Sequence, residues 1–264
     1  MSSQKFAGKV AIVTGSSSGI GQGVALLLAE QGANVTIHGR SSRGLKTEDL
    51  LRSSGITADR MHVLQGDIAD PETVQKLVNE SVERFGKIDI VVNNAAVISK
   101  PLTEVDSEEN YDFTMDINLK SIFRLNKLAV PHLAKTKGNI VNISSFIALR
   151  VFNNQTIYGM SKAALDYYMR SESVHLAQKG IRMNNINPGL IVTNIVTREG
   201  TGWGVNSIEE FEKILNENFV GKIPMNRAGL PKDIANAISY IVSDEASYVC
   251  GTSLVVDGGL VNNM

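Results

Sequence analysis

Short runs of branched apolar residues alternate with longer segments whose apolar residues recur at helical spacing. Val10 to Val13 is an apolar, β-prone run that stops at Thr14-Gly15. Behind it Ile20, Val24, Leu27 and Leu28 fall on one helical face, and Gly32 is a stop signal. The alternation continues, predicting strands at Asn34 to His38, Met61 to Leu64, Ile88 to Val92, Asn139 to Ile143, Ile181 to Ile186 and Ser253 to Val256. Between the second and third of all these strands a polar segment leads into a helix. Pro71 fits the first turn of the next helix, which carries Val74, Leu77, Val78 and Val82. Further helices are predicted over Ser107 to Ala134, Thr156 to Gln178, near Ile208 to Asn218, and over Pro231 to Val242. Strands that are continuously hydrophobic and separated by helices predict a parallel sheet covered on both faces. No linker divides the chain, so residues 1–264 read as one domain.

The length and charge narrow the class. A chain of 264 residues buries a large single core. The formal net charge is -1, with no basic cluster, which gives no electrostatic case for nucleic acid or an anionic membrane surface. The longest apolar runs, such as Ala25 to Ala29, fall far short of the roughly 20 residues that cross a bilayer. The first fifteen residues lack a signal-peptide layout, and the last five are not a peroxisomal address. One cysteine, Cys250, permits no intrachain disulfide, and the expected compartment is the cytoplasm. Cys250 has no basic neighbour in sequence and is expected to be a buried, inert thiol. His38, His62, His132 and His175 are dispersed without metal-ligand spacing, and no metal is expected. His38 and His62 sit in strands and read as structural.

The stretch Val10-Ala-Ile-Val-Thr-Gly-Ser-Ser-Ser-Gly-Ile-Gly-Gln-Gly23 raises the chemistry. Gly15, Gly19 and Gly21 make either a tight turn or a cradle for a phosphate. A helix N-terminus offers unpaired N–H groups and partial positive charge, and glycines let a diphosphate approach them. The spacing, Gly-x-x-x-Gly-x-Gly, differs from the common Gly-x-Gly-x-x-Gly. Its place on the first strand-to-helix turn favours the cradle.

Thr14-Gly15-Ser-Ser-Ser-Gly19-Ile20-Gly21 resembles the nucleotide motif of the short-chain dehydrogenase/reductase family, and the resemblance recurs along nearly the whole chain. Asp67 follows the third strand. Asn93-Asn94-Ala95-Ala96 resembles the family's Asn-Asn-Ala-Gly, with Ala96 departing from its glycine. That extra methyl is expected to narrow the pocket slightly without blocking it. Asn118 sits in Asp-Ile-Asn-Leu, Ser144-Ser145 ends the fifth strand, and Tyr158-Gly-Met-Ser-Lys162 matches Tyr-x-x-x-Lys. Pro188-Gly189-Leu-Ile-Val-Thr193 and Val256-Asp257-Gly258-Gly259 complete the set. The resemblance implies a doubly wound Rossmann α/β domain with a mostly parallel seven-stranded sheet. It also implies a nicotinamide cofactor held by Gly15, Ser17, Ser18, Gly19, Ile20, Gly21, Asp67, Ile68, Asn94, Ala95, Tyr158, Lys162, Pro188, Gly189, Ile191 and Thr193.

By the same resemblance the catalytic residues are Asn118, Ser145, Tyr158 and Lys162. Tyr158 and Lys162 are four apart and share a helix face. A tyrosine pKa of about 10 is too high for an efficient base near neutrality, and a lysine ammonium beside it is expected to lower it. Tyr158 is thereby assigned proton exchange with the substrate oxygen, and Lys162 tunes it and holds the nicotinamide ribose. Ser145, thirteen residues before Tyr158, is assigned to the carbonyl oxygen as a hydrogen-bond donor, with Ser144 left structural. Asn118 is expected to hold a water beside Lys162.

An acid at the end of the second strand would mark NAD. Here the residues are His38-Gly39-Arg40-Ser41-Ser42, and no acid occurs before Glu48. Arg40 offers a donor fork suited to a 2′-phosphate, with Ser41 beside it, so NADP(H) is expected in preference to NAD(H). Ser18 stands where many NADP-using relatives carry a second basic residue. The least regular stretch, about 190–224, is expected to be a substrate lid. Val97, Ile98, Ile147, Leu149, Phe152, Leu190, Ile195 and Trp203 are expected around an apolar substrate. These readings point to reduction of a small apolar carbonyl. Two alternatives stand beside it: an alcohol dehydrogenase running oxidatively with NAD(P)+, and a nucleotide-sensing protein without turnover. Residues 248–259 resemble the subunit interface of tetrameric relatives, so a homotetramer or a homodimer is expected.

Overall fold

The computed structural model describes residues 4–40, 43–152, 155–197 and 204–263. Seven parallel strands form one sheet in the order β3-β2-β1-β4-β5-β6-β7. They are β1 (Val10–Val13), β2 (Asn34–Gly39), β3 (Met61–Gln65), β4 (Ile90–Asn93), β5 (Asn139–Ile143), β6 (Arg182–Pro188) and β7 (Ser253–Val256). The helices are α1 (Gly19–Glu30), α2 (Arg43–Ser53), α3 (Pro71–Phe85), α4 (Glu108–Met115), α5 (Ser121–Thr136), α6 (Thr156–Ala177), α7 (Ile208–Asn218) and α8 (Pro231–Val242). The expected doubly wound Rossmann domain is the observed fold.

Period-2 alternation sends successive strand residues to opposite cores. Ala11, Val13, Val35, Ile37, Val141 and Ile143 face one core with α1 and α8. Ile12, Val91, Ile140 and Met183 face the other, where α3, α5 and α6 contribute Leu77, Leu125 and Met169. Each such buried Val, Ile, Leu or Met side chain stabilises the fold by roughly 1.5–3 kcal/mol. A third cluster lies beside the strand ends, where Phe211 and Leu215 of α7 pack with Phe146, Leu190 and Ile223.

The local signals explain most boundaries. Asp70 caps α3 by accepting from Glu72 N–H, Pro71 follows it, and Gly86 closes the helix at φ +81°. β4 starts two residues later than expected because Asp89 is spent on β1: its carboxylate accepts Val10 N–H at 2.9 Å. β6 runs two residues further, to Pro188, carried by pairing with Val256. The single helix expected over Ser107 to Ala134 is interrupted by a π-turn at Asp116–Lys120. Cys250 is exposed rather than buried, because it lies in the turn entering β7, and Arg182 of β6 stands beside it. Among the described residues no helix is long and apolar enough to cross a membrane, and no three His, Cys, Asp or Glu side chains are grouped to hold a metal.

Candidate active site

The chain leaves β1 for β2 on one side and later places β4 on the other, which opens a crevice at the carboxyl ends of these strands. Thr14 stitches its floor: Oγ1 accepts the N–H groups of Asn94 and Ala95, each at 3.0 Å. Asn94 Nδ2 in turn donates to the carbonyls of Thr14 (2.9 Å) and Gly15 (3.2 Å). The two turns approach so closely that a Cβ on Gly15 would lie 2.8 Å from Ala95 Cα. A Cβ on Gly21 would meet Asn94 Nδ2 and sit 2.7 Å from the Gly15 carbonyl. Gly19 opens α1 at φ +58°.

The N-terminus of α1 is built differently from those of α3, α4 and α7. Those three are capped by Asp70, Ser107 and Ser207 and carry acids in the first turn. Ser18 makes no side-chain cap, and no acid occupies the first turn of α1. Its N–H groups and positive dipole end are left for an outside anion, which fits a dinucleotide diphosphate.

At the end of β2, His38 is 1% exposed and pins this turn. Its Nδ1 accepts Gly15 N–H at 3.2 Å, and Nε2 meets the Gly66 carbonyl at 3.1 Å, so the network assigns the proton to Nε2. Burial pushes its pKa down to about 4, against the raising effects of the Gly66 carbonyl and Asp67. The histidine read as structural is therefore also part of the cavity wall. Arg40 follows at the exposed rim, and among the described residues its guanidinium has no ion-pair partner. Ser41 and Trp203 lie outside the described residues. Asp67 turns its own loop by accepting Ala69 N–H at 3.0 Å.

One cavity of about 530 Å³ joins these features. Gly15, Ser17, Ser18, Gly19, Ile20, Arg40, Asp67, Ile68, Asn94, Ala95, Pro188, Gly189, Ile191 and Thr193 line it, as do Ser145, Tyr158 and Lys162. Gly21 and Asn118 do not reach it; they support the wall from behind. Of the expected substrate residues, Val97, Ile98, Ile147, Phe152, Leu190 and Ile195 line the cavity. Leu149 does not: it follows a one-turn helix at Phe146–Ala148 and faces solvent. Phe146, Val196 and Phe211 were missed, since nothing in sequence ties α7 to the fifth strand. Phe146 and Phe152 meet edge to face at 5.7 Å.

α6 places Tyr158 and Lys162 on its buried face. The Lys162 ammonium is 1% exposed, donates to the Ile143 carbonyl at 2.8 Å, and stands 5.5 Å from the Tyr158 ring centre. Burial lowers its pKa to about 8, opposed by the charge of Asp166. Tyr158 behaves opposite to expectation: burial raises its pKa to about 12, and a hydrogen bond with Ser145 only partly offsets this. Lys162 stands over the ring face and is spent on Ile143, so desolvation wins. Ser145 accepts Ile147 N–H at 3.2 Å and thereby starts the one-turn helix, while Ser144 donates to the Lys162 carbonyl. The Asn118 side chain is fully engaged: Oδ1 accepts Val97 N–H, and Nδ2 donates to the Val97 carbonyl and Ser161.

The chain matches known proteins along nearly its whole length. A family model described as enoyl-(acyl carrier protein) reductase matches residues 15–261. A 3-oxoacyl-[acyl-carrier-protein] reductase of Thermotoga maritima is 31% identical over 258 residues, 97% of this chain and 99% of that one. A short-chain dehydrogenase/reductase of unknown function from Caenorhabditis elegans, solved with cofactor, superposes with TM-score 0.91. It is 35% identical over 98% of this chain and 97% of its own. A 7α-hydroxysteroid dehydrogenase complexed with NADH and 7-oxo glycochenodeoxycholic acid gives TM-score 0.85 at 30% identity, covering 98% of this chain and 96% of its own. The chain is an oxidoreductase of the short-chain dehydrogenase/reductase family.

Proposed function

We propose that this protein is an NADPH-dependent reductase of a ketone or 3-oxo group on a small apolar substrate. The observation that carries the reading is the placement of Ser145, Tyr158 and Lys162 where the glycine cradle meets an apolar half-cavity. The uncapped α1 N-terminus would hold the diphosphate, with Asp67, Ile68, Asn94 and Ala95 toward the adenosine and nicotinamide ribose. Lys162, Pro188, Gly189, Ile191 and Thr193 would hold the nicotinamide half. Arg40, with Ser41, would meet the 2′-phosphate. A bound reduced nicotinamide supplies the hydride.

The residues of the chain do the rest. Tyr158 stays a neutral phenol to about pH 12, so it is poised to give a proton to the carbonyl oxygen rather than to take one. Ser145 donates a hydrogen bond to the same oxygen as charge builds there. Lys162 keeps a cation beside Tyr158. With its side chain engaged, Asn118 would serve the site from behind the wall, tying Val97 to Ser161 of α6. Residues 198–203 of the expected lid lie outside the described residues, and its described parts, 190–197 and 204–224, would cover the substrate end. Their Leu190, Val196 and Phe211 present no charge to the cavity, which suits a neutral substrate end. One relative is named as a 3-oxoacyl-[acyl-carrier-protein] reductase, and a structural neighbour is a hydroxysteroid dehydrogenase solved with a 7-oxo acid, which supports a 3-oxo or ketone substrate.

A second reading, oxidation of an alcohol with NAD+, draws on the NADH named with the steroid dehydrogenase and on Ser18 where a second base would favour NADP. A sensor without turnover is disfavoured by the complete catalytic set. We place the assembly as a homotetramer or homodimer, in keeping with exposed Phe123 and Tyr167 on α5 and α6 and Tyr248 before β7. The test is NADPH consumption with a panel of apolar ketones, 3-oxo thioesters and charged keto acids. Turnover of the first two classes supports the reading, and preference for the charged acids refutes it.

A further inference from the structure

Three asparagines stand in register across the centre of the sheet: Asn93 on β4 pairs with Asn142 on β5, which pairs with Asn185 on β6. All three are buried. Asn93 Nδ2 donates to Asn142 Oδ1 at 2.8 Å, and Asn142 Nδ2 donates to Asn185 Oδ1 at 2.8 Å. Asn185 Nδ2 then donates to Asp166 Oδ1 at 2.7 Å, so the rung ends on a carboxylate. The second oxygen of Asp166 accepts Asn187 Nδ2 at 2.9 Å, and that same amide donates to the Ser145 carbonyl at 3.0 Å.

Asp166 is 3% exposed and, among the described residues, has no cation within salt-bridge distance. A buried carboxylate is costly unless its environment is built for it, and two amides aimed at one oxygen each are such an environment. Lys162 lies one helical turn earlier on the same buried face. Among the described residues no other charge acts on Lys162 there. Tyr168 of α6 takes an Asn126 amide, and Arg182 of β6 is spent on the carbonyls of Ser243 and Val249. Asp116 and Lys120 of the π-turn pair with each other. On α4, Glu109 pairs with Lys100, while Glu108 and Asp112 face solvent. β5 and the one-turn helix after it carry no titratable side chain.

We propose that Asp166 is a positioning residue of the reducing centre. Its carboxylate closes the asparagine rung, fixes the Ser145 main chain through Asn187, and sets a fixed negative charge one turn from Lys162. The proposal rests on the reading of Ser145, Tyr158 and Lys162 given above. The charge of Asp166 opposes the lowering of the Lys162 pKa by burial, in keeping with this placement.

The test uses Asp166→Asn and Asn187→Ala, with the Lys162 side chain titrated by NMR in the protein without nucleotide and assigned by its loss in Lys162→Arg. In Asp166→Asn the proton affinity of Lys162 falls about tenfold, and the alkaline limb of turnover moves to lower pH with it. In Asn187→Ala the charge remains, so the Lys162 titration holds while kcat falls about tenfold. A merely structural Asp166 would lower the melting temperature and leave both the titration and the limb in place, which overturns the proposal. Wild-type turnover in Asn187→Ala also overturns it, and decides alone if Asp166→Asn does not fold. Failure of the catalytic reading is distinguishable: Tyr158→Phe would then turn over like wild type, while the NMR titration still reports on Asp166.

Discussion

His38 carries a pH-dependent share of stability that can be worked from its surroundings. Its pKa is 6.5 in the unfolded reference and about 4 in the fold, a gap of about 2.5 units. At 1.36 kcal/mol per unit the full effect is about 3 kcal/mol. The unfolded chain binds the proton more tightly, so this stability is present above pH 6.5 and lost as the pH falls through 4. By pH 5 about 2 kcal/mol has gone. The assay is urea unfolding by far-UV circular dichroism at pH 7.5 and pH 5, at one protein concentration, for wild type and His38→Gln. Carboxylates contribute to both proteins and cancel in the difference. Wild type is expected to lose about 2 kcal/mol more than the variant between the two pH values. Equal losses would refute the argument. Nucleotide affinity of the wild type should weaken in the same window, because a protonated Nδ1 cannot accept Gly15 N–H.

Three further outcomes follow from the geometry. Gly21→Ala forces a methyl against Asn94 Nδ2 and the Gly15 carbonyl, so it should cost about 1–3 kcal/mol and impair nucleotide binding, read by thermal melts and titration. Leu215→Ala removes a fully buried side chain of α7 that packs with Phe146, Leu190 and Ile223, and should cost about 2–5 kcal/mol in denaturant unfolding, with a raised KM for bulky ketones. Arg40→Ala should weaken NADPH binding at least about tenfold and leave NADH binding unchanged in fluorescence titrations, whereas equal losses would remove Arg40 from the 2′-phosphate.

The strands were legible because parallel strands buried on both faces read as unbroken Val and Ile runs. Their ends were less so, since Asp89 capping Val10 and Val256 holding Pro188 are contacts between distant segments. The glycine cradle, Tyr158, Lys162 and Ser145 stand out as linear motifs. The π-turn at Asp116–Lys120 has no such mark, and the water expected at Asn118 gave no hint that its side-chain amide is engaged with Val97 and Ser161. The asparagine rung depends on strand register, which periodicity does not reveal. The tyrosine was expected to be acidified by its lysine, but burial raises its pKa and only the Ser145 hydrogen bond opposes this. His38, one residue before Gly39-Arg40, was visible in sequence, yet only the fold shows its ring meeting Gly15.

The most direct test of the account is the split between binding and turnover in Tyr158→Phe. NADPH titration and NADPH-dependent reduction of the best apolar ketone would be measured on wild type and variant together. The account predicts that both proteins bind NADPH with similar affinity and that turnover is lost by at least about a hundredfold in the variant, the scale of a general acid. Turnover at the wild-type rate in Tyr158→Phe, or no nicotinamide binding by either protein, would contradict it.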